Sequence, residues 1–246
     1  MTAGSVLCVS VSPGLRGAYR PLGRALQPWV ASIQRWDYQQ TLDEPADLYA
    51  AVDLLVAYLR TQKQPFHLLG HGLSGVVAWL AAQACPDRIG SLVLLAVSPQ
   101  AVTWHSHYYV QRRFCVDSRE QILLRLSRSL FGDPHPFCWR HLVQGLAMDL
   151  QYAPCPYSIW HAVGHLPTLE TLGIPVFVGG SWDDPVVDVA QLQRWHLKPQ
   201  DVLWLAPWGR HFFHVGQAEA LAQQLRQFWA RVSPALEQTQ VIEVLH

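Results

Sequence analysis

Hydrophobic residues along this 246-residue chain follow two alternating patterns. Val6–Ser10, Phe66–Leu69, Ser91–Val97 and Ile174–Gly180 are short, largely apolar runs bounded by turn residues, as expected of strands in a parallel sheet covered on both faces. Val30–Gln34 and Asp201–Leu205 read as further strands. Between the runs, apolar residues return every three or four positions, which predicts helices over Tyr19–Leu26, Pro45–Thr61, Leu73–Ala84, Val189–Trp195 and Ala218–Val232. The acidic Asp43-Glu44 precedes the second of these and complements a helix dipole. Strands alternating with helices imply right-handed crossovers and an α/β fold with a mostly parallel central sheet flanked by helices.

The alternation stops between Ser98 and Leu172. Aromatic residues Trp104, Tyr108, Tyr109 and Phe114 precede two helical patterns, Glu120–Leu130 and Cys138–Leu150, separated by the breaker Gly132-Asp133-Pro134. The segment reads as a helical cap inserted over the sheet. Residues 1–97 and 173–246 then form the core, 98–172 the inserted cap, and Ser233 to His246 a tail with no assigned structure.

Composition narrows the function classes. Half of the residues are hydrophobic and 15% are charged, enough for one large core and unlike a disordered chain. Eighteen basic residues balance eighteen acidic ones, and no basic run exceeds Arg112-Arg113, which argues against nucleic acid or an anionic membrane as partner. Cys8, Cys85, Cys115, Cys138 and Cys155 are odd in number and lack zinc or Cys-x-x-Cys spacing, so they read as reduced thiols of a cytoplasmic protein. From Met1 onward there is no basic-then-apolar leader, and no apolar stretch approaches the ~20 residues of a membrane helix. Neither cofactor nor metal is expected. Gly14-Leu15-Arg16-Gly17 lacks the spacing of a nucleotide loop, and His105-Ser106-His107 has no third ligand at recognisable spacing.

The candidate chemistry centres on Leu68-Leu69-Gly70-His71-Gly72-Leu73-Ser74-Gly75, the end of a strand, a tight turn and the start of a helix. A nucleophile elbow reads small-x-nucleophile-x-small, and its sharp turn exposes the central side chain above the sheet. Gly70 and Ser74 fill the small positions, so Gly72 stands at the apex. Making Ser74 the nucleophile instead would put branched Val76 at a small position, and a helical step of ~100° per residue points Ser74 away from the apex.

With these landmarks the chain resembles the capped branch of the α/β-hydrolase superfamily over roughly residues 5–232. The elbow is similar to the family's Gly-His-Ser-x-Gly-Gly arrangement, with Gly72 in place of the nucleophile. Pro86-Asp87-Arg88-Ile89 and Leu92-Val93-Leu94-Leu95 look like the turn and strand that follow. Gly179-Gly180-Ser181-Trp182-Asp183-Asp184-Pro185 is similar to the acid loop, and Gly209-Arg210-His211-Phe212-Phe213-His214 to the histidine loop. The resemblance implies Asp184 and His211 as triad acid and base, with Asp183 and His214 as neighbouring alternatives. It also implies an oxyanion hole from the backbone N–H groups of Ser12 and Leu73. Val11 stands where the family often has Gly, which narrows the backbone there.

Two functional readings stay open. In the first, the fold has lost serine-hydrolase activity of the carboxylic ester hydrolase type, a pseudoenzyme that binds a small apolar molecule or a protein partner, with Trp104 and Tyr108 lining the pocket. In the second, an active hydrolase or lyase uses the His211–Asp184 pair to activate water or substrate directly.

Overall fold

The computed structural model describes residues 3–44, 46–100, 102–132, 139–155 and 172–243, with side chains through 232. Pro45, Asp133, Pro134, Cys138 and the portion 156–171 of the expected cap lie outside the described residues.

Among the described residues six strands form one parallel sheet: β1 (Ala3–Ser10), β2 (Val30–Asp37), β3 (Phe66–His71), β4 (Ile89–Leu95), β5 (Val176–Ser181) and β6 (Val202–Ala206). Their order is β2-β1-β3-β4-β5-β6, and every pairing is parallel. Because side chains alternate across a strand, each central strand feeds two cores. Leu7, Val9, Leu68, Leu92, Leu94 and Val178 face one layer, together with helices α2 (Leu48–Thr61) and α3 (Leu73–Ala84). Val6, Cys8, Leu69, Val93, Leu95 and Phe177 face the other, formed by α1 (Arg20–Leu26) and α9 (Ala218–Glu243). This double burial is why the strands read as continuous apolar runs.

Between β4 and β5 the chain forms α4 (Trp104–Phe114), α5 (Arg119–Phe131) and α6 (Trp139–Tyr152). Short helices α7 (Val189–Leu192) and α8 (Phe213–Gly216) follow β5 and β6. Since all strands run parallel, the loops after β1, β3, β5 and β6 emerge at one edge of the sheet, where α/β proteins place their sites.

Several boundaries differ from the sequence expectation for identifiable reasons. Helix α2 begins at Leu48, not Pro45, because the Asp47 carboxylate caps it by accepting from the Tyr49 N–H at 2.9 Å. The Glu44 carboxylate instead accepts from the Thr41 N–H in the preceding turn. Helix α7 stops at Leu192, well short of Trp195, and α9 continues past Val232 to Glu243, through most of the expected tail. Among the described residues no helix is long and apolar enough to cross a membrane.

Under the α9 layer, the His67 ring lies 2.8 Å from the Ser91 hydroxyl, which also accepts from the Trp229 indole at 3.1 Å. Burial pushes the His67 pKa down to about 4 and that of His214 to about 3, both from an ordinary 6.5. Below pH ~6.5 the unfolded chain therefore binds protons that the folded chain refuses, so stability is complete above that pH and falls as pH drops towards 4. At about 1.4 kcal/mol per pH unit, His67 alone contributes a loss of roughly 3 kcal/mol by pH 4. Thermal melts from pH 7 to 4 are expected to show this decline, with a shallower slope in His67→Gln.

Candidate active site

The apex of the β3–α3 turn is Gly72, with φ 51° and ψ −124°. An L-residue reaches this backbone region only with strain, and glycine, having no β-carbon, enters it freely. The turn is tight. A β-carbon on Gly70 would lie 2.6 Å from the Ser74 carbonyl oxygen, and the Gly72 N–H donates to the Leu95 carbonyl of the adjacent strand at 2.9 Å.

Asp184 lies in the loop after β5. Its Oδ1 accepts from the Val186 and Val187 N–H groups at 2.8 and 3.1 Å, which fixes the carboxylate without a charged partner. His211, in the loop after β6, places Nδ1 3.0 Å from Asp184 Oδ2 and 3.2 Å from Oδ1, and both side chains are fully buried. The structure thus brings together Asp184 and His211 and separates their neighbours. Asp183 accepts from the Ser181 hydroxyl at 2.6 Å and the Arg210 N–H at 2.8 Å, tying the two loops to each other. Partial burial raises its pKa, but those hydrogen bonds outweigh burial and hold it below the ordinary value. His214 is buried among the rings of Tyr19, His71 and Phe212. His71, just before the apex, supports the histidine loop: its Nε2 donates to the His211 carbonyl at 2.9 Å.

The remaining ring nitrogen of His211, Nε2, is buried with no hydrogen-bond partner among the described residues. Among the described residues other than the chain neighbours of Gly72, it is the one heavy atom within 4 Å of the place a β-carbon on Gly72 would occupy, at 3.7 Å. Ser74 does not compete for it. The Ser74 hydroxyl accepts from the Val11 N–H at 3.0 Å and so pins the loop after β1, which carries Ser12, onto the first turn of α3, which begins at Leu73. Val11 is buried and needs no positive φ.

The insertion reaches this site from two sides. The Phe212 N–H donates to the Leu130 carbonyl at 3.1 Å, and the Phe131 and Phe212 rings stack at 4.1 Å. On α4, Trp104 and Tyr108 are buried, with Trp104 stacked on His105. His107 was visible in the sequence only as half of a metal pair. Residues two apart on a helix point ~200° apart, so His105 and His107 face opposite ways. Burial lowers the His107 pKa, and the charge of His211 lowers it further against the opposing pull of Asp184. Trp104, His107 and Tyr108 share one face of α4 by their i, i+3, i+4 spacing. Among the described residues no group of three or more His, Cys, Asp or Glu side chains is arranged to hold a metal.

Comparison with known proteins agrees with this architecture. An uncharacterized protein of Nostoc sp. is 39% identical over 227 residues, covering 91% of this chain and 90% of its own length. An uncharacterized protein of Synechocystis sp. is 37% identical over 228 residues, covering 91% and 89%. Among solved structures, a meta-cleavage product hydrolase from Pseudomonas fluorescens superposes with a TM-score of 0.72 at 15% identity, covering 93% of this chain and 91% of that one. The chain has the α/β-hydrolase fold. No family model matches it. The parallel sheet flanked by helices is the one the sequence resemblance implies, and glycine stands at the apex of the β3–α3 turn.

Proposed function

We propose that this chain is a non-hydrolytic α/β-hydrolase that binds a small apolar molecule beneath a helical cap formed by residues 98–172. Gly72 carries the reading. It occupies the nucleophile position, in the strained backbone conformation of an elbow and opposite His211 Nε2, but has no side chain with which to attack. The nearest hydroxyl on the helix, that of Ser74, is committed to the Val11 N–H. On this reading Asp184 and His211 hold the positions of triad acid and base, the Ser12 and Leu73 N–H groups supply backbone donors, and Trp104 and Tyr108 line the apolar part of the pocket.

Native mass spectrometry of the purified protein tests the ligand. The wild type is expected to carry a small apolar molecule, and Trp104→Ala, with its fold checked by circular dichroism, to retain about tenfold less, the equivalent of ~1.4 kcal/mol. A wild type that carries no such molecule overturns the ligand reading and points to a protein partner.

One observation favours a second reading. His211 keeps its full support from Asp184, and its Nε2 is unengaged, the arrangement of a general base acting on water or on a substrate proton. Such an enzyme would lose its turnover in His211→Ala.

A further inference from the structure

Successive residues of the histidine loop are held by different parts of the chain. The Arg210 N–H donates to Asp183 Oδ1 at 2.8 Å, the His211 carbonyl accepts from His71 Nε2 at 2.9 Å, and the Phe212 N–H donates to the Leu130 carbonyl at 3.1 Å. The first two holds come from the loop after β5 and from β3, both parts of the core. The third comes from the insertion, at the end of α5. The loop needs such holding, because Arg210 has φ 55°, a conformation that a residue with a β-carbon keeps only where its surroundings over-determine it.

The contact serves α5 as well. The last four carbonyls of a helix have no partner further along the same helix. In α5 the Arg128 carbonyl accepts from the Gly132 N–H at 3.0 Å, and the Leu130 carbonyl accepts from Phe212. The histidine loop thus completes the end of a helix that belongs to the insertion. Side chains close the same contact. The Phe131 and Phe212 rings stack with centroids 4.1 Å and planes 9° apart, and Phe212, itself buried, lies 4.4 Å from the His71 ring and meets the His211 ring edge-on at 5.4 Å and 86°. Stacked and edge-on arrangements are the favourable ones for aromatic rings, so the chain of rings from Phe131 to His211 resists rotation of any one member. The Arg210 side chain lies across the residue that ends α5: a β-carbon on Gly132 would be 3.6 Å from Arg210 Cδ and Nε.

We propose that Phe131 is a positioning residue for His211: the end of α5, through the Leu130 carbonyl and the Phe131 ring, fixes Phe212 and with it the direction of the imidazole opposite Gly72. The insertion, and not the core alone, then orients the base. Asp184 grips the Nδ1 end of the ring. Phe131, acting through Phe212, holds the backbone from which the ring projects. The inference rests on the reading of His211 as holding the base position, and it concerns that histidine whether or not the wild type turns over a substrate.

Imidazole NMR and hydrogen–deuterium exchange on the full chain test it without a substrate. Phe131→Ala removes the stack and keeps the Leu130 carbonyl. It is expected to speed exchange of the Phe212 amide about tenfold, with residues 66–79 and 119–127 unchanged. In the same variant the His211 Nδ1 proton, bonded to Asp184 in the wild type, is expected to shift upfield and broaden. Phe131→Leu, which also lacks the ring, is expected to give the same two changes and serves if Phe131→Ala does not fold. Phe131→Tyr keeps the ring and is expected to restore the wild-type values of both. A Phe212 amide that exchanges at the wild-type rate overturns the proposal. So does faster exchange with the His211 signal unmoved, which would leave the contact a helix cap, and so does a rise that spreads equally through 66–79, which would leave Phe131 a residue of general stability. Ester turnover by the wild type would refute the non-hydrolytic reading and leave this one standing; an unmoved His211 signal would do the reverse.

Discussion

Gly72→Ser is expected to turn over short acyl esters at least about 10²-fold faster than the wild type, the lower end of what a positioned base contributes to attack. The argument is geometric. Among the described residues other than its chain neighbours, a β-carbon at this position meets nothing within 4 Å except His211 Nε2 at 3.7 Å, so a serine hydroxyl fits there and comes within hydrogen-bond reach of that nitrogen. His211 is already oriented by Asp184, and Asp184 by two backbone N–H groups. The same substitution carries a stability cost, because φ 51° and ψ −124° strain any residue with a β-carbon by ~1–3 kcal/mol. Activity is thus expected to appear together with a lower melting temperature. A variant that is destabilised but inert would show that the backbone donors after β1 are not aligned with the elbow.

Gly14→Ala is expected to be the most damaging single methyl in the protein. The new β-carbon would be driven into the carbonyl of Gly145, and a β-carbon on Gly145 would likewise lie 2.6 Å from the Gly14 carbonyl oxygen. A clash with backbone has no rotamer to relieve it, so α6 must move. A loss of about 3 kcal/mol or more follows, at the upper end of overpacking costs. For a chain of this size that is a fall in melting temperature of roughly 6–12 °C. Gly23→Ala is the control: it lies within α1, and beyond that helix's own backbone its new β-carbon meets none of the described residues within 4 Å, so it is expected to be neutral or slightly stabilising. Equal melting temperatures for the two variants would show that α6 does not rest on the loop as described.

What the sequence made legible follows from what leaves a local trace. The central strands and α3 were readable because burial on both sheet faces demands unbroken apolar runs, and the β3–α3 turn because its glycine spacing is imposed by close backbone packing. Asp184 and His211 could be named because their loops follow β5 and β6 in the order the fold requires, although only the hydrogen bonds separate them from Asp183 and His214. Helix α4 was seen as a string of aromatics, since His, Gln and Arg dilute its apolar spacing. The buried pairing of His105 with Asp149, 3.5 Å apart, left no local signal. The two residues sit on different helices and meet only when α6 packs against α4 and the loop after β1.

The most direct test of the account is the hydrolysis of short acyl esters, such as p-nitrophenyl acetate, by the wild-type protein beside His211→Ala. Because Gly72 offers no hydroxyl to His211, the account predicts that neither protein exceeds the buffer rate. Wild-type turnover that disappears in His211→Ala would contradict it and make the protein an enzyme in its own right.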